Sequence, residues 1–199
     1  MKRVVVVVLS LVVIGLAWWL VDSIMAPIRF NDAKDIRYAA VIARLKNIRT
    51  AQEAYRSEFH KYTGSFDTLI RFVSTDSFRV VRQIGSLDDS AAVAEGRVYR
   101  DTISVCVRDS LFKNIAIDSL RYIPYTDGKE FEMQAGELST GSKVVVQVFQ
   151  AQAPNNFILN GLDRQEIINL NDVAKQLKRY PGLRVGSLTE ATNNAGNWE

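Results

Sequence analysis

The sequence predicts an α+β protein in which an N-terminal transmembrane helix continues into a long amphipathic helix packed on an antiparallel β-sheet. Three observations predict it. Residues 4–21 form an uncharged apolar run, apolar residues recur at helical spacing between positions 41 and 62, and several short β-rich runs follow within residues 65–199. Because the helical patterns precede the strands instead of alternating with them, the pattern favours α+β over α/β.

The chain has room for one domain and an anchor. Its 199 residues are 47% hydrophobic and 24% charged, with a net charge of +3, which is ordinary for a globular protein. We expect a cytoplasmic tail at residues 1–3, a transmembrane anchor at 4–21, a stalk helix at 22–64 and an α+β domain at 65–199.

The apolar run VVVVVLSLVVIGLAWWLV has 18 residues and no charge. As a helix it spans roughly 27 Å, close to the thickness of the hydrocarbon core of a bilayer. Two tryptophans near its far end suit the membrane interface. The side chains expected to contact lipid are Val4, Val8, Leu11, Ile14, Trp18 and Trp19.

A cleaved signal peptide is the alternative to an anchor, with Lys2 and Arg3 as its basic start. The residues after the run, DSIMAPIRF, lack a good small-x-small site, although Ser23 and Ala26 are small. The pattern therefore favours an uncleaved signal anchor. No cysteine follows the run at a lipoprotein position, which excludes a lipoprotein.

The flanking charges predict the orientation. Lys2 and Arg3 adjoin the apolar run directly, whereas Asp22 is the first charge on its other side. The rule that basic residues stay inside then places the amino terminus in the cytoplasm. We expect a single-pass protein of the bacterial inner membrane with its C-terminal domain in the periplasm.

The stalk helix is predicted from a stripe of large apolar residues at steps of three, four and seven. Pro27 suits a kink or a first-turn position, and Asn31 or Asp32 can cap a new helical run after it. Gly64 suits the end of that run. The chain's own sheet or a neighbouring copy can cover the stripe. This packing or assembly face comprises Val41, Leu45, Ile48, Tyr55, Phe59 and Tyr62.

The first 70 residues resemble the N-terminal helix of type IV pilins and pseudopilins. The similarity lies in the hydrophobic first half, Pro27 near its end, TAQEAY at positions 50–55, and a glycine and an aromatic residue within about a dozen residues after that. The resemblance implies a long helix packed on a sheet and a function in assembly. Prepilins have a glycine before the apolar run and a glutamate five residues after the cleavage point, whereas Arg3 leads straight into valines here. The resemblance therefore does not extend to prepilin processing or conventional filament assembly.

The region after the stalk contains several predicted elements. The segment YTGSFDTLIRFV favours a short amphipathic turn or helix, and SFRVVRQIG and DTISVCVRD favour strands. LRYIPYTDGKEFEMQAG is a hairpin candidate with its turn at positions 126–129. KVVVQVFQAQ is apolar on both faces at first and is expected to be the central strand. Residues 86–95 and 164–179 favour helices or loops, LRVGSL favours a last strand, and the final residues favour a loop.

No motif for catalysis, cofactor binding or metal binding is apparent. His60, the only histidine, is expected to end a helix, and Cys106, the only cysteine, to be a half-buried strand residue. The acidic pairs Asp88–Asp89 and Glu130 with Glu132 are expected to be solvated edge residues. Trp198 is expected to pack onto the domain. We expect no cofactor, and no nucleic-acid partner because no basic stripe is interleaved with aromatic residues.

These features together favour a non-enzymatic, membrane-anchored envelope protein. Its expected partners are membrane lipid and other envelope subunits, as a homo-oligomer or hetero-oligomer, including the machinery of secretion or pilus assembly. The alternative is a membrane-tethered periplasmic domain that binds a ligand or hydrolyses a substrate.

Overall fold

The computed structural model describes residues 2–84, 99–113, 115–139, 141 and 143–199. Within them a long N-terminal helix precedes a two-stranded ribbon and a three-stranded antiparallel sheet. The predicted α+β class, with a long apolar helix at the N-terminus and a small antiparallel sheet, is confirmed.

Helix α1 (Lys2–Phe59) is a single element of 58 residues with Pro27 inside it. The expectation that a new helical run starts after the proline is therefore wrong. Proline removes one hydrogen bond of the helix, but the turns on both sides of it remain paired. Arg29 donates to the carboxylate of Asp22 across the proline turn, which joins the two halves.

The end of α1 also differs from the prediction. The helix ends at Phe59, and His60 takes the left-handed conformation (φ 58°) while its N–H donates to the Arg56 carbonyl at 2.8 Å. Gly64 lies beyond the helix. A Cβ atom at Gly64 would lie 3.3 Å from the backbone nitrogen of Ala135, so the glycine permits a close approach to the sheet instead of ending the helix.

A short helix and a ribbon follow the turn. Helix α2 (Phe66–Thr75) is capped by Ser65, whose hydroxyl accepts from the Thr68 N–H, and it is the helical form of the predicted amphipathic turn or helix. Strands β1 (Ser77–Ile84) and β2 (Tyr99–Cys106) pair antiparallel. Both strands were predicted. Residues 86–95, with Asp88 and Asp89, lie outside the described residues.

The predicted hairpin around positions 126–129 forms differently from expectation. The one-turn helix α3 (Val107–Leu111) and a 3-10 helix (Ile117–Arg121) precede it. A single bridge joins Tyr122 to Glu130, and Gly128 takes a positive φ of 74° in the turn. The chain turns where predicted, but its first arm is not a strand.

The main sheet has the order β3-β4-β5 with all pairs antiparallel. Strand β4 (Val145–Pro154) is central, as predicted, between β3 (Glu132–Ser139) and β5 (Gly182–Gly186). The alternate residues Phe149, Ala151 and Ala153 are buried. The second half of the central strand therefore supplies one apolar face to the core.

Two helices connect β4 to β5. Helix α4 (Asn155–Ile158) follows β4 directly, and helix α5 (Arg164–Gln176) starts at Asp163, whose carboxylate accepts from two backbone N–H groups at 2.8 and 3.1 Å. Of the helix or loop expected at 164–179, the structure has the helix, which ends at Gln176. The C-terminal segment then lies along the outer edge of β5, where Gly186 donates to Ala195 at 3.0 Å.

The core joins the second half of α1 to the rest of the chain. One cluster of buried apolar side chains extends from Phe30 of α1 to Val185 of β5. The stalk is thus part of the globular core instead of a separate rod. Cys106 differs from expectation, since it is exposed at the end of β2 instead of half-buried.

Candidate functional site

The first half of α1 has an exposed apolar surface. All six predicted anchor side chains are more than half exposed, and the apolar part of the helix buries none of its residues against the rest of the protein. This helix is long and apolar enough to cross a membrane, a criterion that a signal sequence near the N-terminus also meets. The exposed fractions are 67% for Val4, 54% for Val8, 65% for Leu11, 64% for Ile14, 73% for Trp18 and 67% for Trp19.

The predicted packing face lies on the second half of α1. Val41, Leu45 and Ile48 are completely buried, and Tyr55 and Tyr62 are more than nine-tenths buried. The ring of Tyr62 lies 4.9 Å from the ring of Phe149 on β4. The domain's own elements therefore cover most of this face.

Phe59 is the exception in the predicted packing face. It remains 43% exposed, although its ring lies 4.6 Å from that of Tyr55 and 5.8 Å from that of Phe72. Phe59 closes the end of an aromatic cluster at the rim of the core. The rings of Tyr55 and Phe59 both contact Phe72 of α2, so at this end of the face α2 takes the place of the expected sheet or neighbouring copy.

Gln52 is a buried residue that sequence reasoning missed. Its side chain is 0% exposed. Its amide accepts from the Thr63 N–H at 3.1 Å and donates to the Thr63 carbonyl at 2.6 Å, and it also lies 3.1 Å from the sulfur of Met133. This side chain holds the segment that leaves α1 against β3. The signal in the sequence that could have indicated this burial is the position of the glutamine next to small residues in TAQEAY.

Hydrogen bonds of polar side chains join α1 to the segment after β4. The hydroxyl of Tyr38 donates to Asn155 at 2.5 Å, and the amide of Asn155 donates to Asn171 at 2.9 Å. Arg37 donates to the carbonyls of Ile158 at 3.0 Å and Asn160 at 2.8 Å. Because Asn155 is only 2% exposed, its bonds satisfy polar atoms that would otherwise be costly to bury.

Hydrogen bonds and an ion pair join the C-terminal segment to the second half of α1 and the turn after it. Arg49 donates to the carboxylate of Glu199 at 2.8 Å, and the Asn194 amide donates to the Tyr62 hydroxyl at 2.8 Å. The hydrogen bond from Arg49 lowers the pKa of Glu199 below its ordinary value. Trp198 is partly buried and packs against the core, as predicted.

Tyr180 and Arg121 are among the other ionisable side chains with shifted pKa values, and both shifts have structural causes. Burial, together with the nearby carboxylate of Glu132, raises the pKa of Tyr180 to about 12. The hydrogen bond to Asp67 raises the pKa of Arg121, a residue that also lies 3.7 Å from Glu130. Neither shift produces a group that titrates near neutral pH.

The chemical inventory of the described residues is sparse. Among them, no three histidine, cysteine, aspartate or glutamate side chains lie close enough to hold a metal ion. The cleft formed by Arg56, Tyr62, β4 and the C-terminal segment has a volume of about 200 Å³, and an open cleft between the second half of α1 and residues 115–125 has about 470 Å³. Pockets that bind small molecules usually measure about 300–1,000 Å³, so the second cleft lies within that range. Within the described part of the chain, the long exposed apolar surface of the first half of α1 is the stronger candidate for function.

No family model matches the chain, and neither a curated protein nor a solved structure shows significant similarity to it.

Proposed function

We propose that this chain is a non-enzymatic, membrane-anchored protein of the bacterial cell envelope that works by assembling with itself or with other envelope subunits. The proposal places residues 4–21 in the inner membrane and the domain in the periplasm. It rests on the resemblance of the first 70 residues to type IV pilins and on the flanking charges.

The observation that carries the proposal is that the two halves of α1 have different surroundings. One unbroken helix exposes apolar side chains in its first half and contributes core residues in its second half. Exposed apolar surface on this scale requires a partner, and a bilayer fits its length. The second half then holds the domain at a set height above the membrane.

A part of α1 above the anchor supports assembly as the function. Ile36 is 62% exposed, and the small residues Ala39 and Ala43 are exposed as well. An exposed isoleucine among small residues on a helix suits close approach of another helix.

Cysteine cross-linking in native membranes tests the proposal. Ile36→Cys in a Cys106→Ser background is oxidised in membranes, with Lys61→Cys as the matched control beyond the end of α1. We expect Ile36→Cys to form a covalent homodimer, or a covalent adduct with another envelope subunit, and Lys61→Cys to form neither. A protein that stays monomeric at both positions, at native abundance, contradicts the assembly function.

A further inference from the structure

Two edges of the main sheet are covered by other segments of the chain. Beside β3, the segment after α1 lies so close that a Cβ atom at Gly64 would be 3.3 Å from the backbone nitrogen of Ala135. Beside β5, the C-terminal segment is bonded to the strand, with Gly186 donating to Ala195 at 3.0 Å. Covering of this kind keeps a sheet edge from pairing with other chains.

The central strand has an edge that is not covered in this way. Strand β4 pairs with β3 along residues 145–152, whereas its pairing with β5 spans only residues 150–154. Beyond Gly186, which takes a positive φ of 70°, the chain turns away from β4, and the hydroxyl of Ser187 accepts from two of the backbone N–H groups that follow. Among the described residues, 145–148 therefore have a strand on one side only, and we call them the open edge.

The backbone groups of Val145 and Gln147 point outwards from the open edge. Arg184 of β5 accepts from the C-terminal segment at 3.0 Å, so the next residue, Val185, points its groups to its partner Ala151 on β4. Alternate residues of a strand point their backbone groups to the same edge, so those of Val145 and Gln147 point to the same side as those of Ala151. Within the described part of the chain, no hydrogen bond reaches these N–H and C=O groups. Val145 is 59% exposed, which leaves the edge accessible.

The smaller cleft, of about 200 Å³, adjoins the open edge. Val146 and Val148 line it from the sheet, and Tyr62 lines it from the turn after α1. Since a cavity of about 150 Å³ holds a benzene molecule, this cleft has room for one aromatic or large aliphatic side chain. Its charged lining residues are Arg56 and Glu190, one of each sign, so the cleft selects neither an acidic nor a basic segment.

We propose that the open edge binds an extended, uncharged segment of a partner protein, which adds to the sheet as a strand beside β4 and places one large apolar side chain in the cleft. An unpaired edge presents N–H and C=O groups whose complement is the backbone of another extended chain. In this mode of recognition the main-chain bonds give affinity, and a pocket beside them gives specificity.

The added strand runs antiparallel to β4, as both strands already paired with β4 do. Antiparallel pairs are also slightly more stable per residue than parallel ones. The open edge belongs to the folded domain and does not depend on the membrane anchor, so this binding site goes beyond the proposed function.

Hydrogen exchange of the full chain in detergent micelles tests the site, with a synthetic peptide as the probe. The probe is a short capped peptide of alternating valine and threonine in which phenylalanine replaces the central valine. We expect a saturating amount of it to slow exchange of the Val145 and Gln147 amides at least about tenfold, because both become hydrogen-bonded. Unchanged exchange of these amides up to the solubility limit of the peptide overturns the proposal.

Two control peptides separate the role of the backbone from that of the side chain. The same peptide N-methylated at every residue cannot donate to β4 and should give no protection, and equal protection by it contradicts strand addition. The peptide with aspartate in place of phenylalanine should protect less at equal concentration. Equal protection by that peptide contradicts the placement of an apolar side chain in the cleft.

A pair of variants tests the cleft from the side of the protein. Ala191 is exposed and lines the cleft, so Ala191→Trp fills the cleft without changing the sheet, and Ala39→Trp is the matched exposed control on α1. We expect Ala191→Trp to abolish the protection by the phenylalanine peptide and Ala39→Trp to preserve it. Equal protection in both variants overturns the role of the cleft. Protection that grows with protein concentration in the absence of peptide shows a second copy on the open edge and overturns the proposed partner.

Discussion

At the residue scale, Gln52 determines where the chain goes after α1. Helix ends leave backbone groups without partners, and Gln52 supplies partners for both backbone groups of Thr63. Its own polar atoms are removed from water. Since a buried amide must be bonded, the side chain and the segment 60–64 fix each other.

Gln52→Leu keeps the volume of the side chain but leaves Thr63 without its partners. We expect the free energy of unfolding to fall by about 1–3 kcal/mol, the cost of unpaired buried polar groups. Urea titration of the full chain in detergent micelles measures it. Glu58→Gln, an exposed change on the same helix, should cost less than about 0.5 kcal/mol. Equal midpoints for the two variants would contradict this role of Gln52.

The Arg49–Glu199 pair makes stability depend on pH. Because the pKa of Glu199 is lower in the folded protein, its stabilisation is complete above the ordinary pKa of 4.5 and is lost as the pH falls through the lower folded value. We expect the parent to be more stable than Glu199→Gln at pH 7, and the difference to shrink below pH 4.5. Thermal melting from pH 7 to pH 3 measures it. A constant difference would refute the linkage, and high salt should reduce the effect because the carboxylate is exposed.

At the scale of the element, α1 combines two helices of different kinds in one continuous segment. Its first half exposes large apolar side chains, while its second half buries a stripe against the sheet and α2. The stripe is buried to different depths along its length. Leu45 is completely enclosed, whereas Phe59 lies at the rim with 43% of its side chain exposed.

This difference predicts two distinct costs on truncation. Leu45→Ala should reduce the free energy of unfolding by about 2–5 kcal/mol, because it leaves a cavity in a closed core. Phe59→Ala should cost only about 1–2 kcal/mol, since burying a Phe completely contributes about 1.5–3 kcal/mol and only part of Phe59 is buried. Both are compared with the parent by urea titration in detergent. A larger loss for Phe59→Ala than for Leu45→Ala would contradict the placement of Phe59 at the rim.

At the scale of the whole molecule, the anchor and the folded domain are joined by the same helix. The core starts at Phe30, and the exposed apolar surface of α1 extends to Ile28. The boundary between them is therefore only about two residues wide. Membrane attachment should therefore depend on the residues before this boundary, and folding of the domain on the residues after it.

Deletion of residues 2–28 tests this separation. We expect the parent to stay in the membrane fraction after washing at alkaline pH, and the deleted chain to be found in the soluble fraction. The deleted chain should keep a cooperative thermal transition, since it retains the entire buried cluster. A parent that washes off the membrane would contradict the anchor, and an unfolded deleted chain would show that the first half of α1 also stabilises the domain.

Local patterns in the sequence determined much of this architecture. The uncharged run at 4–21 predicted an exposed apolar helix, because the segment has no stripe of polar residues that could face water. The spacing of Val41, Leu45 and Ile48 predicted a buried helical face, and the apolar β4 predicted a central strand. Each of these signals is carried by residues close together in the chain, so periodicity and composition suffice to detect it.

Tertiary contacts decided what the local patterns did not specify. Pro27 favours a break, yet α1 continues through it, and Gly64 favours a helix end, yet it serves the approach of Ala135. The burial of Gln52 depends on Thr63, and the exposure of Phe59 depends on where α2 packs. The position of Tyr125 beside Arg37 depends on contacts between residues 88 positions apart. These features require distant residues to meet, because a side chain's burial and partners are properties of the folded chain and not of its neighbours in sequence.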